Sequence, residues 1–240
     1  MPALTLARAQ VYTSAVQGFD FLILYFSLGA ALIESKRKRH IKNEVSREIS
    51  INLLTKAAFE LFVVHGYHAT SLETISSKVG LSKGSVYYYF GSKEKLILHM
   101  LGVIRHDLVD GLIDDLLEDT EKNHVDRIIR YIHTGANFGA QRPNELLFMI
   151  LISIEFARQD NPIAEDIKAL YRDLFQAVES VVIEAQKRGA MPIEVDARSF
   201  ASMIVAVHDG MMLAWHLRRT EINGSDLVRH VRNMLLHGIA

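Results

Sequence analysis

A chain of 240 residues with 27 Lys and Arg against 28 Asp and Glu, 49% hydrophobic residues, four prolines and no cysteine already excludes several classes. Disulfide scaffolds, thiolate chemistry and cysteine-rich zinc folds are ruled out, and the absence of cysteine agrees with a reducing, cytoplasmic setting. The net charge of −1 averages two unlike regions: residues 36–107 carry twelve basic against six acidic side chains, residues 108–240 fourteen against twenty. The basic region is the one that suits a nucleic-acid partner. Apolar residues recur at helical spacing and no segment reads as a sheet, so the fold class is all-α.

Residues 1–45 form an extension unlike the rest. From Phe21 to Ile33 thirteen residues carry no charge, and Lys36-Arg37-Lys38-Arg39-His40 follows. A membrane span needs about 20 apolar residues, so this run is short, and basic residues after the apolar run reverse the order of a cleaved leader. An extra apolar helix or a translated upstream leader is preferred over a membrane anchor at residues 16–33. If the segment did insert, the basic block would keep residue 36 onward cytoplasmic.

The next stretch, Ser46 to Gly66, reads as a helix with Ser46 as candidate N-cap, Ile49, Leu53, Leu54, Ala57, Ala58, Leu61 and Phe62 facing inward, and Gly66 as the stop. Two short helices and a long one follow, the last running from Lys93 to about Glu118. Further helical blocks are expected near 124–140, 143–159, 163–188, 196–218 and 225–237. They are divided at Arg142-Pro143, Asn161-Pro162, Gly189 to Pro192 and Asn223-Gly224.

The segment Thr70 to Phe90, TSLETISSKVGLSKGSVYYYF, carries the strongest signal. Thr70 and Glu73 have capping-box spacing, Leu72, Ile75 and Val79 would lie on a buried side, Gly80 permits a left-handed turn, and Leu81 fills the angle. Ser82 caps a second short helix, Lys83 to Tyr89, whose exposed start can approach DNA. Lys83 suits phosphate or guanine, Gly84 allows close approach, Ser85 offers a short hydrogen bond, and Tyr87 and Tyr88 suit phosphate or a thymine methyl. Lys93 and the free amides behind Ser92 are placed to hold a backbone phosphate. Successive helical residues turn by about 100°, so three consecutive tyrosines cannot all be buried. Tyr88 is expected outermost, Tyr87 partly packed, and Val86 and Phe90 in the core.

The arrangement T-S-x-x-x-I-x-x-x-x-G-[VL]-S-x-G-x-x-Y-x-Y-F-x-[SN]-K-x-x-L resembles the TetR family of bacterial repressors. Thr70, Ser71, Ile75, Gly80, Leu81, Ser82, Gly84, Tyr87, Tyr89, Phe90, Ser92, Lys93 and Leu96 all match. Ser76-Ser77 stands where the family commonly has a small residue followed by a charged one. The resemblance implies a helix-turn-helix DNA-binding domain at 46–108, with Thr70, Ser71, Ser82, Lys83, Gly84, Ser85, Tyr87, Tyr88 and Lys93 as its DNA-facing residues. It also implies a helical ligand-binding and dimerisation domain at 109–240. In such a repressor a dimer sets two recognition helices in successive major grooves about 34 Å apart, and a ligand favours a spacing that does not fit.

In the larger region the helices near 196–218 and 225–237 carry apolar stripes, the latter Leu227, Val228, Val231, Leu235 and Leu236, which suit a four-helix homodimer interface. His133, Phe138, Phe148, Ile152, Phe156, Tyr171, Phe175, His208, Met211 and Met212 are the candidates to line an apolar effector pocket, although ordinary core is the competing reading for each. Arg130, Arg142, His133 and Asp209 are candidates for a polar ligand group. The phosphate loop, the G-x-S-x-G elbow and H-E-x-x-H are all absent, so no catalytic residue, metal or cofactor is expected. The chain reads as a DNA-binding regulator rather than an enzyme, with operator DNA, a second copy and an unidentified small effector as partners. A membrane-tethered regulator is the alternative.

Overall fold

The computed structural model describes residues 44–118, 123–218 and 220–237, and among them there is no strand. The apolar segment 16–33 therefore lies outside the described residues. Helix α1 spans Glu44–Ala69. Ser46 is not its cap, because the helix is already under way at Glu44 and the Ser46 carbonyl accepts the Ser50 hydroxyl at 2.9 Å. Ile49 and Leu53 are exposed, contrary to the inward face expected of them, whereas Leu54, Ala57, Ala58, Leu61 and Phe62 are buried. Gly66 takes φ +78°, the left-handed conformation that breaks regular helix, and one further turn carries the chain to Ala69.

Three short capped helices follow. Helices α2 (Leu72–Lys78), α3 (Lys83–Phe90) and α4 (Lys93–Ile104) begin at Ser71, Ser82 and Ser92. Each serine hydroxyl accepts the backbone N–H three residues on, from Thr74, Ser85 and Lys95. This removes one orphan amide from each helix start. The capping box expected at Thr70 and Glu73 is displaced by one residue, because Thr70 is 1% exposed and its hydroxyl donates to the carbonyls of Leu61 and Gly66 instead. Gly80, at φ +71°, makes the α2–α3 turn.

The long helix expected from Lys93 is not uniform. Helix α4 passes into a π-helical turn, Arg105–Val109, and then into α5 (Asp110–Leu117). The wider turn keeps Leu108 and Val109 on the buried side with Ile104 and Leu112. Helices α6 (His124–Gln141), α7 (Pro143–Phe156), α8 (Pro162–Lys187), α9 (Ala197–Leu217) and α10 (Gly224–His237) complete the chain close to the expected boundaries. Pro143 and Pro162 each open a helix, where the missing N–H costs nothing, and the Asn161 side chain accepts from Ala164 N–H at 2.9 Å.

Residues 54–240 form one compact unit. Helices α8 and α9 pack along one another, α6 contacts α5, α7, α8, α9 and α10, and α4 lies against α7 and α8.

Candidate functional site

Helices α2 and α3 place the tyrosine run at one end of the compact unit. Val86 and Phe90 turn inward, and the 100° step per residue leaves Tyr88 78% exposed and Tyr87 41% exposed, as the run itself implies. The Tyr88 ring stands edge-on to Tyr89, with centroids 5.2 Å apart. Ser82, Lys83 and Gly84 are exposed around it, while Ser71 and Ser85 are half-buried, and Ser82 Oγ lies 2.9 Å from Ser85 Oγ. The hydroxyls of Ser71 and Ser82 are engaged in capping, so their contribution is to point helix starts outward.

Glu73 was not expected to matter beyond a cap, yet it organises this surface. Its carboxylate pairs with the Lys83 ammonium and accepts the Tyr87 hydroxyl at 3.4 Å. The hydrogen bond from Lys83 holds the Glu73 carboxyl far below the usual range, at about 2, and Glu73 in turn raises the Lys83 ammonium. The Lys83 Nζ also lies 5.7 Å from the centre of the Tyr87 ring. Lys83 is thus exposed but carries an internal acidic partner.

Two of the residues expected to face DNA are turned elsewhere. Thr70 is buried with its hydroxyl committed to backbone, which makes it a support of the α1–α2 corner. Lys93 is half-buried, donates to the Tyr67 carbonyl, and sits 4.0 Å from the Tyr67 ring centre and 5.8 Å from that of Phe62. Burial lowers its affinity for a proton. In this structure Lys93 ties the start of α4 to the end of α1 rather than waiting for a phosphate.

The residues expected to line an effector pocket separate into groups. Phe148 and Phe156 of α7 pack on α1: Phe148 meets Phe59 and Phe62 with centroids 5.2 Å and 5.7 Å away, and Phe156 meets Tyr67 edge-on at 5.1 Å. They join the small helices to the helical body, where aromatic area is worth most as packing. The Nε2 atom of His68 adds a 2.8 Å bond to Glu155 at the same junction. Ile152 and Met211 are core residues. Phe138 is half-buried under the Arg142 guanidinium, which is 5.6 Å from its ring centre.

Tyr171, Phe175 and His208 come together with Asp209, expected as a polar ligand contact, and with Tyr131, a residue whose role sequence spacing does not show. Tyr171 Oη donates to Asp209 Oδ2 at 3.0 Å, His208 Nδ1 lies 3.3 Å from Asp209 Oδ1, and the Tyr131 and His208 rings are 5.3 Å apart. Burial, reinforced by the Asp209 charge, raises the Tyr131 and Tyr171 hydroxyl pKa values. Met212 and His133 line a cavity of about 300 Å³ between α6, α9 and the start of α10. Arg142 is paired with Asp107, and Arg130 Nη1 with Glu118 at 2.6 Å, while Arg130 Nη2 is buried without a hydrogen-bond partner among the described residues. Among the described residues no group of acidic and histidine side chains is arranged to hold a metal ion.

Comparison with known proteins covers both halves of this arrangement. Residues 54–100 match the bacterial regulatory proteins of the tetR family, and residues 107–238 match the C-terminal region of YsiA-like proteins. The MbdR regulator from Azoarcus sp. CIB is 30% identical, its structure covering 79% of this chain and 98% of its own, with a TM-score of 0.71. FadR from Bacillus subtilis, solved in complex with stearoyl-CoA, shares the fold at 18% identity, covering 78% of this chain and 98% of its own with a TM-score of 0.65. A fatty acid metabolism regulator protein of Bacillus subtilis (strain 168) is 19% identical over 183 residues, 76% of this chain and 92% of that relative. Since the matches take in the capped tyrosine-bearing helices as well as the helical body behind them, the chain belongs to the TetR family and is a DNA-binding transcriptional regulator.

Proposed function

We propose that the protein is a cytoplasmic repressor that binds operator DNA as a homodimer and is released by a small, largely apolar effector, with no catalytic role. The observation that carries this reading is Tyr88, a large side chain left 78% exposed at the outer face of α3 beside exposed Lys83 and Gly84. An aromatic ring so placed is outside the core, touching only the edge of Tyr89 among the aromatic rings, and it can meet a phosphate or a thymine methyl. The reading takes residues 46–108 as the DNA-binding domain and 109–240 as the effector and dimer domain, with 1–45 as an extension. Ser71, Ser82, Lys83, Gly84, Ser85, Tyr87 and Tyr88 form the DNA-facing edge, and the effector lies within the helical body; that FadR was solved in complex with stearoyl-CoA supports a ligand-responsive reading. The membrane-tethered alternative draws no support from the relatives.

The dimer is assigned to α9 and α10. Met203, Ala206, Gly210, Leu213 and Leu217 recur at three- and four-residue spacing along α9 and are all exposed. Such a seam suits a second helix crossing at a shallow angle. Transmission runs through the junction: α7 holds α1 by Phe148 and Phe156, while the π turn is tied by Arg105 to Asp173 of α8 and by Asp107 to Arg142 at the α6–α7 corner. A shift of α6 and α7 on effector binding would be carried to both ends of the headpiece, altering the separation of the two α3 helices.

Sequencing the DNA recovered with the protein supplies the operator. On that operator, Tyr88→Ala is expected to weaken binding about tenfold or more, with dimerisation and thermal unfolding unchanged. Unaltered affinity in this variant would overturn the assignment of α3 as the reader.

A further inference from the structure

Helices α6 and α9 approach so closely that side chains of one rest on the backbone of the other. A Cβ placed on Gly135 would lie 1.9 Å from His208 Nε2, and one on Gly139 would lie 2.8 Å from Met212 Sδ. His208 and Met212 are one turn apart on α9, as Gly135 and Gly139 are on α6, so the contact is a seam two rungs long. At its inner rung two buried polar atoms have no hydrogen-bond partner among the described residues, Tyr131 Oη and His208 Nε2. Buried groups of this kind each forgo the partner they had in water, and a native fold seldom leaves two together without use for them.

At its outer rung the seam opens into the 300 Å³ cavity, whose apolar wall is Ala136, Ala140, Met212, Trp215, Leu227 and Val228. Its polar lining comprises amide, hydroxyl and imidazole groups, and contains no Asp, Glu, Lys or Arg. Burying an ion there would be costly, so the walls select a neutral guest. Met212 stands at the outer rung, where it both lines the cavity and covers Gly139. Its three rotatable bonds let it move without disturbing the helices, which would join the cavity to the two unpartnered atoms one turn deeper.

We propose that the α6–α9 seam is the effector site and that it takes a neutral, largely apolar molecule carrying one carbonyl or hydroxyl oxygen. The carbon frame lies against Trp215 and Met212, and the oxygen accepts a hydrogen bond from Tyr131 Oη after Met212 moves aside. This inference rests on the ligand-responsive reading above. It narrows that reading by excluding a guest whose charged group is buried in the seam.

The chain has a single tryptophan, Trp215, which makes the site directly readable. The full-length protein is titrated with prodan, a neutral naphthyl ketone, while Trp215 emission is followed. Saturable quenching is expected, with Tyr131→Phe, which removes only the unpartnered oxygen, raising Kd about three- to tenfold. Ala140→Phe, which fills the cavity from an exposed position, abolishes quenching, and Ser225→Phe at the opposite rim does the same should the first variant not fold. Absence of saturable quenching in the wild type overturns the proposal, as does wild-type affinity in Tyr131→Phe or in a folded cavity-filling variant. Operator binding measured without prodan tests the repressor reading separately: its loss counts against that reading, whereas intact operator binding without quenching counts against the seam.

Discussion

Replacing Gly135 by alanine would put a methyl carbon 1.9 Å from His208 Nε2 and 2.8 Å from both neighbouring ring carbons. A relaxed contact needs about 3.5 Å or more between such atoms, so the imidazole must retreat by roughly 1.5 Å. It has nowhere to go, since His208 is 3% exposed and its ring is stiff and hemmed in by Tyr131. Overpacking of this kind costs about 1–3 kcal/mol, offset in part by the better helix propensity of alanine, worth about 1 kcal/mol. An approach as short as 1.9 Å belongs at the upper end of that range, about 2–3 kcal/mol, so the net expectation is a loss of about 1–2 kcal/mol. For a chain of this size that corresponds to roughly 2–8 °C in Tm, read by circular dichroism melting. The sign should reverse once the imidazole is gone: in a His208→Ala background, Gly135→Ala is expected to be neutral or stabilising, a coupling that a double-mutant cycle isolates. A Gly135→Ala protein that melts at or above the wild-type temperature would refute the close α6–α9 contact on which this reasoning depends.

Three other perturbations probe separate parts of the molecule. Glu73→Gln removes the acidic partner of Lys83 and frees that ammonium for phosphate, so operator affinity should rise and the dependence of log K on log salt should steepen by about one; a decrease in affinity would contradict the pairing. Thr70→Val keeps the shape of a buried residue but leaves the Leu61 and Gly66 carbonyls without their hydroxyl donor, which should destabilise the fold by about 1–2 kcal/mol in urea unfolding. Although partial burial pushes the Asp107 carboxyl up, hydrogen bonds from His106 and Arg142 hold it below its ordinary value overall. A carboxyl depressed in the folded state stabilises above its unfolded pKa and loses that contribution as pH falls through the folded value, hence below about pH 4. Arg142→Ala should therefore lower stability at neutral pH, by no more than about 1 kcal/mol for this half-exposed pair, and have less effect at pH 3. Equal losses at both pH values would show that the ion pair is not the cause.

What the residues settle by themselves is local. Pro143, Pro162 and Asn223 mark helix starts because proline's fixed φ and missing donor suit the first turn, and the Asn223 side chain accepts the Ser225 N–H. The serines at 82 and 92 cap helices, and Tyr88 faces outward, because side-chain reach and the helical step act over three or four residues. The same local logic misplaced the first cap, assigning to Thr70 what Ser71 does, since both hydroxyls stand near the helix start and only packing of α1 against α2 decides which one is buried.

Periodicity tells which face of a helix is apolar, but not what covers it. Phe148 and Phe156 read as pocket lining in sequence and instead clasp α1, and Lys93 reads as a phosphate ligand but meets the carbonyl and ring of Tyr67, 26 positions away. The Gly135 and Gly139 spacing was a visible signal of a close helix crossing, yet its meaning depends on His208 and Met212 arriving opposite it from α9. These pairings join residues far apart in the chain. Their geometry follows from how the helices cross, so the tertiary structure alone decides them.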